Sequence, residues 1–330
     1  MISKLVIRQL KQILLSNRSN LSEYKFYPSK CNSKIIMEQK CSKVVVNYNN
    51  FTKEQIINNE PIYNDYLRLK INELFDKVYK PVIQKSKKGI IVIVHGAWHS
   101  GPLLEKTAKY LRNDGWAVYT PTIRGNKPGD NRISINLTQA IQSIVDYIIN
   151  LDLHNVILVG HSYGGMVISG VVDEILSRIK RLVYWNAFVP LNGQALVDMT
   201  PEPYNILFKK LAEENNNAIN LPFPIWREAF INYADLNLAK KSYNKLNPHP
   251  YLTLTEKIKF KNFDELAALN IGKSYINGLA DIALPQSYGW NPRLSERLGL
   301  FRYINHMYDH EICFDNPKVL AECIIQAGRD

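Results

Sequence analysis

Residues 155–172 read NVILVGHSYGGMVISGVV. The apolar run VILV ahead of the glycines predicts a strand buried on both faces of a parallel sheet, and the run behind them returns its apolar residues at helical spacing. Gly160-His161-Ser162-Tyr163-Gly164-Gly165 therefore falls on a sharp strand-to-helix turn. A serine hydroxyl is a weak nucleophile; such a turn projects its oxygen while the helix start offers backbone N–H donors, and the flanking glycines relieve the crowding. A bare G-x-S-x-G is a weak signal. The strand before it and the helix after it supply the context this chemistry requires.

The same texture recurs outward from that segment. GIIVIVHG (89–96) is a second continuous apolar run, followed by a helical stretch from Pro102 to Arg112 and a strand in WAVYTPTI (116–123). A helix is predicted from Leu137 to Asn150, and beyond the serine come a helix to Ile179 and a strand in RLVYWNAF (181–188). Further strands lie near KSYINGLAD (273–281) and LFRYIN (300–305), and NPKVLAECIIQA closes the chain as a helix. Alternation of strand and helix predicts an α/β fold, a doubly wound and mostly parallel sheet formed by 89–188 and 271–330. The intervening 189–270 is expected to be an inserted cap or lid, and 1–88 a basic, partly helical extension.

The chain has 330 residues, 46% hydrophobic and 22% charged, enough to bury a large core. No apolar run reaches the roughly 20 residues a membrane-spanning helix needs. Cys31, Cys41, Cys313 and Cys323 form no C-x-x-C pair and are too sparse for a disulfide framework, so a reducing compartment is expected. Residues 1–88 carry 17 Lys and Arg against 7 Asp and Glu, while the rest holds 24 against 23, so the whole basic excess lies in the extension. Its charges are scattered rather than clustered, which argues for a solvated segment and against nucleic-acid binding. A surface or partner contact through it is the alternative. The first twenty residues have basic and apolar residues at helical spacing, read as a surface helix, and charges interrupt every apolar stretch of a secretory signal, so a cytoplasmic location is expected, with organelle targeting by that helix as the alternative. Residues 62–79 repeat apolar side chains on one helical face.

His95-Gly96-Ala97-Trp98 stands at the end of the first buried strand, where an oxyanion-binding loop belongs in this architecture. Backbone amides of Ala97 and Tyr163 are the expected donors to the transition-state oxyanion. His95 is read as shaping that loop without exchanging a proton. At the carboxyl end, His310 follows a predicted strand and Asp281 ends the one before, giving the chain order Ser, Asp, His. Histidine suits the base role because its pKa lies near working pH, and a carboxylate would fix its tautomer. His306, His161 and Asp309 are competitors for these roles.

VHGAWHSG, VGHSYGGMV, YWNAFVPLNGQ, LADIALPQS and DHEICFDNP together resemble the α/β-hydrolase superfamily, in its branch of small-ester carboxylesterases. That branch includes plant methyl-ester esterases, hydroxynitrile lyases and bacterial aryl-ester or pyrethroid hydrolases. The resemblance spans about residues 89–330; nothing in the family corresponds to 1–88. It implies Ser162 as nucleophile, Asp281 as acid, His310 as base, and Ala97 and Tyr163 as oxyanion amides. Hydroxynitrile lyases carry threonine after the first histidine and lysine after the catalytic one; here these are Gly96 and Glu311, which favours ester hydrolysis. Asn186 stands where many relatives have aspartate, and Ser100 and Pro102 replace a usual glycine and tryptophan.

Within 189–270, prolines accompany Tyr204, Phe208, Phe223, Trp226, Phe230 and Tyr233, as a lid over an apolar pocket would need. Trp98, Trp185 and His306 adjoin the catalytic segments and are the expected substrate-binding residues. The resulting expectation is a serine-dependent hydrolase acting on a small ester or lactone, with no metal or cofactor. Lactonase or acyl-transfer chemistry on the same residues, or a small-molecule receptor with little turnover, are the alternatives.

Overall fold

The computed structural model describes residues 24–28, 34–39, 42–47, 69, 71–73, 75–77, 79 and 81–329. The chain divides into two compact units, Met1–Lys80 and Pro81–Asp330. In the first, strands β1 (Tyr24–Pro28), β2 (Lys34–Gln39) and β3 (Ser42–Asn47) pair antiparallel in that order. Residues 71–73 and 75–77 are helical, as the 62–79 periodicity predicts. The strands are not foreseen by that reading, although β2 and β3 contain the β-branched runs Ile35-Ile36 and Val44-Val45-Val46 that suit them. The amphipathic helix expected over the first twenty residues lies outside the described residues.

The second unit is built on six strands: β4 (Ile90–Val94), β5 (Ala117–Tyr119), β6 (Val156–His161), β7 (Ile179–Trp185), β10 (Gly272–Gly278) and β11 (Arg302–His306). The short β8 (Ala218–Ile219) and β9 (His249–Pro250) form a separate antiparallel ladder. The main sheet runs β11-β10-β7-β6-β4-β5 with every neighbour parallel. All six residues of β6 are buried, as a strand covered on both faces must be. Helices α1 (Glu105–Asn113), α2 (Leu137–Asn150), α3 (Gly164–Ile175) and α6 (Pro317–Gly328) cover the sheet. Asn136 caps α2 by accepting from the Gln139 amide, whose side chain accepts in return from the Asn136 amide, so the helix starts where the sequence predicts.

β5 and β7 stop short of their expected carboxyl ends, for local reasons. β5 stops at Tyr119, ahead of Pro121, which cannot donate to a ladder. β7 stops at Trp185 because Asn186 turns into the left-handed region with φ of 41°. The unit also begins ahead of Gly89, since the Gln84 side chain bonds the Val118 carbonyl at 2.7 Å and its backbone amide bonds the Tyr119 hydroxyl at 3.0 Å. Between β7 and β10 the chain forms helices α4 (Glu202–Glu214) and α5 (Leu236–Tyr243) and the β8–β9 ladder. No helix among the described residues is long and apolar enough to cross a membrane.

Parallel register brings the carboxyl ends of the strands to one edge: Gly160 lies beside Val94 and Tyr184, and Gly278 beside His306. Helix α3 rests tightly on that edge. A Cβ on Gly165 would stand 2.2 Å from the Phe188 carbonyl oxygen, and one on Gly164 would stand 2.6 Å from the Val94 carbonyl oxygen. Both neighbours are backbone and cannot step aside cheaply. Gly165→Ala is expected to lower unfolding stability by about 1–3 kcal/mol, the scale of overpacking in a core; an unchanged denaturation midpoint would show that α3 can lift from the sheet.

Candidate active site

Ser162 follows the last residue of β6 with φ of 52°, a left-handed conformation unusual for a side chain with a Cβ. Its amide donates to the Trp185 carbonyl at 3.2 Å, and its carbonyl accepts from Gly165 at 3.0 Å and Phe188 at 3.2 Å. The strained turn is thus held from both sides. A Cβ on Gly160 would meet the Gly164 carbonyl oxygen at 2.7 Å, so the turn closes only because position 160 has none.

Ser162 and His310 line one pocket together with Ala97, Trp98 and Tyr163. The His310 Nδ1–H donates to Asp281 Oδ2 at 2.6 Å, and both side chains are buried. Asp281 is fixed in turn: its Oδ1 accepts from the Ala283 amide at 2.9 Å, and its Oδ2 accepts a second bond from Asn186 Nδ2. Asn186 also accepts from the Gly278 amide at 2.9 Å, clamping the ends of β7 and β10 together. The segment after β10 is bonded to that after β11, Leu279 N–H to the His306 carbonyl at 2.8 Å and Ala280 N–H to the Tyr308 carbonyl at 3.3 Å. The competitors stand elsewhere: Asp309 bonds the Tyr233 and Glu311 amides, and His306 accepts from the Tyr308 amide.

Neither the Ala97 nor the Tyr163 amide is used in a hydrogen bond among the described residues. The pocket's other walls are mostly apolar, with Phe188, Leu196, Phe208, Phe230, Leu284 and Trp290 among them, and Trp290 stacks on the His310 ring at 5.2 Å. Phe208, Phe230 and Tyr204 come from the 189–270 segment, as expected of a lid, whereas Phe223, Trp226 and Tyr233 do not reach the pocket. Trp98 lines the pocket with φ of 62° and donates its indole N–H to the Ile219 carbonyl at 3.0 Å. Trp185 is not brought there: its ring is fully buried and stacks on His161 at 3.8 Å. His306 is buried too, outside the pocket lining. Adjacency in sequence to the catalytic segments placed both near the strand ends, but alternation along β7 and β11 turned them into the packing.

A model of the family described as alpha/beta hydrolase family matches residues 91–285. The chain belongs to the alpha/beta hydrolase family. This hydrolase is 32% identical over 261 residues to a carbendazim hydrolyzing esterase of Nocardioides sp., covering 72% of this chain and 98% of the relative. It is 28% identical to the putative methylesterase 11, chloroplastic, of Arabidopsis thaliana, over 72% of this chain and 63% of that protein. Among solved structures it is similar, at 40% identity and a TM-score of 0.69, to an extracellular alpha/beta-hydrolase from a Paenibacillus species that shares structural and functional homology with tobacco salicylic acid binding protein 2. That match covers 73% of this chain and 99% of the other.

Burial sets the charge states of the hydrolase's interior histidines. His95 is driven down to about 3, and His161 well below its usual value, by loss of water. Neutral His95 donates from Nδ1 to the Gly96 carbonyl at 2.8 Å and accepts the Ile123 amide on Nε2 at 3.0 Å, so it shapes the loop and has no free nitrogen for the reaction. Neutral His161 donates from Nε2 to the His310 carbonyl at 3.0 Å. His310 differs. Burial opposes its charge, but the charge of Asp281 and its hydrogen bond outweigh that and raise it above 6.5. His161 was readable from the sequence only as the variable residue before the serine; its hold on the His310 backbone comes from a partner 149 positions away.

His99, Glu311 and Cys313 present donor atoms within 4.8 Å of one another, a spacing that could surround a cation. Yet His99 Nε2 and Glu311 Oε2 already satisfy each other, and burial pushes the Cys313 thiol well up, so the set is poorly suited to a metal.

Beside His310, burial raises Asp309 to about 7, and it raises the adjoining Asp315 to about 6. A carboxyl that holds its proton more tightly folded than unfolded makes stability fall as pH climbs, here from the ordinary value of 3.8 up to about 7. Asp315→Asn is therefore expected to stabilise the protein at pH 8 by on the order of 1 kcal/mol, the scale of one pKa unit, and to do little at pH 4. Thermal melts at the two pH values check this; an equal shift at both would show that the pair does not titrate together.

Proposed function

We propose that this hydrolase cleaves small carboxylic esters through an acyl-enzyme. The observation that carries the reading is the 2.6 Å bond between His310 and Asp281 at the wall of a pocket shared with Ser162. The names of the relatives, an esterase and a methylesterase, support ester chemistry.

In the proposed sequence Ser162 Oγ attacks the ester carbonyl carbon while its proton passes to His310 Nε2. The carbonyl oxygen takes up negative charge facing the Ala97 and Tyr163 amides, which require no reorganisation to receive it. Asp281 keeps Nδ1 as the protonated nitrogen, leaving Nε2 as the acceptor, and stabilises the imidazolium that forms. The C–O bond to the alcohol breaks as His310 returns the proton to the leaving oxygen. Water then enters and gives a proton to His310 as its oxygen bonds the acyl carbon; the bond from that carbon to Ser162 Oγ breaks as His310 returns the proton to Oγ, releasing the carboxylic acid and free Ser162. Trp98, Phe208, Phe230 and Trp290 give the acyl or alcohol group an apolar surface and keep bulk water away from the charge.

Ser162→Ala is expected to abolish p-nitrophenyl acetate cleavage in a folded protein, and retained turnover would overturn the assignment. Asp281→Asn is expected to lower kcat by roughly 10⁴-fold, because the wrong ring nitrogen would then carry the proton. The base must be uncharged to act and its pKa is raised, so kcat/KM should fall as pH drops through a midpoint above 6.5. A midpoint below that value would argue against His310 as the base. Steady multiple turnover, as opposed to a single burst, separates this reading from a receptor that keeps the fold.

A further inference from the structure

His99 stands two residues beyond Ala97, and Glu311 directly follows His310; neither has a part in the chemistry above. Both are almost fully buried, with side chains 2% and 1% exposed. His99 Nδ1 lies 2.7 Å from the Ala97 carbonyl oxygen, and its Nε2 lies 2.9 Å from Glu311 Oε2. Aromatic rings close the surroundings: His161, Trp226 and Phe314 stand 5.7–5.8 Å from the His99 ring.

The hydrogen count of this pair is constrained. A carbonyl oxygen only accepts, so His99 Nδ1 carries a proton. The contact from Nε2 to the carboxyl oxygen needs a second proton, held either by the ring as imidazolium against a carboxylate or by Glu311 as the neutral acid donating to a bare Nε2. Both arrangements have no net charge, which is what a site without water tolerates. They also share their geometry. A rigid link of two hydrogen bonds therefore runs from the Ala97 carbonyl, through the ring, to the residue beside His310.

The Ala97 carbonyl belongs to the peptide that leads into Trp98, which is held at φ of 62°. A tryptophan in that conformation is under strain and stays there only where neighbours enforce it. The ring of His99 holds the carbonyl of that peptide, while Glu311 ties the same ring to a loop anchored by its own amide on Asp309 at 3.0 Å.

We propose that His99 and Glu311 are positioning residues, a neutral proton-sharing brace that fixes the oxyanion loop relative to His310. Their contribution is to the placement of the Ala97 amide against the proton-transfer geometry, so their loss falls on kcat more than on KM. The inference rests on the ester-hydrolase reading; wild type and Ser162→Ala, assayed in parallel, test that reading separately.

Glu311→Gln supplies an N–H that donates to a bare Nε2 and keeps both hydrogen bonds, whereas Glu311→Leu fills similar space and keeps neither. Glu311→Leu is expected to lower kcat roughly 10²-fold, the scale of a 1 Å misplacement, with KM changed less than about threefold, and Glu311→Gln to restore kcat to within about threefold of wild type. Wild-type kcat in the leucine variant, or an equal loss in both variants, would overturn the brace. A readout independent of activity and of variant folding is the ¹⁵N spectrum of the histidine-labelled wild type: His99 must show a protonated Nδ1. A His99 ring protonated on Nε2 alone would overturn the proposal.

Discussion

The close seating of helix α3 on the strand ends governs everything around the site. Positions 160, 164 and 165 lack a Cβ, and each would otherwise collide with backbone oxygen at 2.2–2.7 Å. With those contacts open, the chain reverses within Ser162 itself, and the serine leaves the sheet at the edge where the other strands also end. Gly96 extends the same constraint to the neighbouring loop, where a Cβ would meet the His161 ring at 2.9 Å and the Ser162 Cβ at 3.1 Å. The loop after β4 and Ser162 are neighbours because two glycine-bearing turns can touch.

A second constraint is electrical. His95, His99, His161 and His310 are all buried around this edge, and an interior of that kind cannot hold several charges. Burial keeps His95 and His161 neutral, which converts them into fixed donors and acceptors that tie loops together. His310, by contrast, has the Asp281 carboxylate at 2.6 Å to stabilise its charged form, and it is the histidine that lines the pocket with Ser162. Asn186 contributes here as an uncharged donor: it holds Asp281 without adding a second negative charge, which an aspartate at that position would do.

The pocket owes its character to the segment between β7 and β10. Phe208 and Phe230 come from it, and they face Trp98 at 5.5 Å each in edge-on contacts, so this segment and the loop after β4 form one apolar wall. Residues ahead of Pro81 form a compact unit of their own, with a three-stranded antiparallel sheet.

The sequence by itself determined the alternation of buried strands and covering helices, because apolar runs and helical spacing are local properties: α2 spans Leu137–Asn150, the range read from the sequence. It also determined the Ser162 turn and the order of Ser162, Asp281 and His310, since glycine spacing and chain order need no coordinates. Only the tertiary structure decided which side chains face the pocket. Trp185 and His306 were expected at the pocket yet turn into the packing, while Trp290 arrives from a segment with no motif. The partners of Asp281, the hold of His161 on His310 and the link from His99 to Glu311 were equally hidden, the last joining residues 212 positions apart. Hydrogen bonds of that span depend on strand register and loop closure, and no local pattern encodes either.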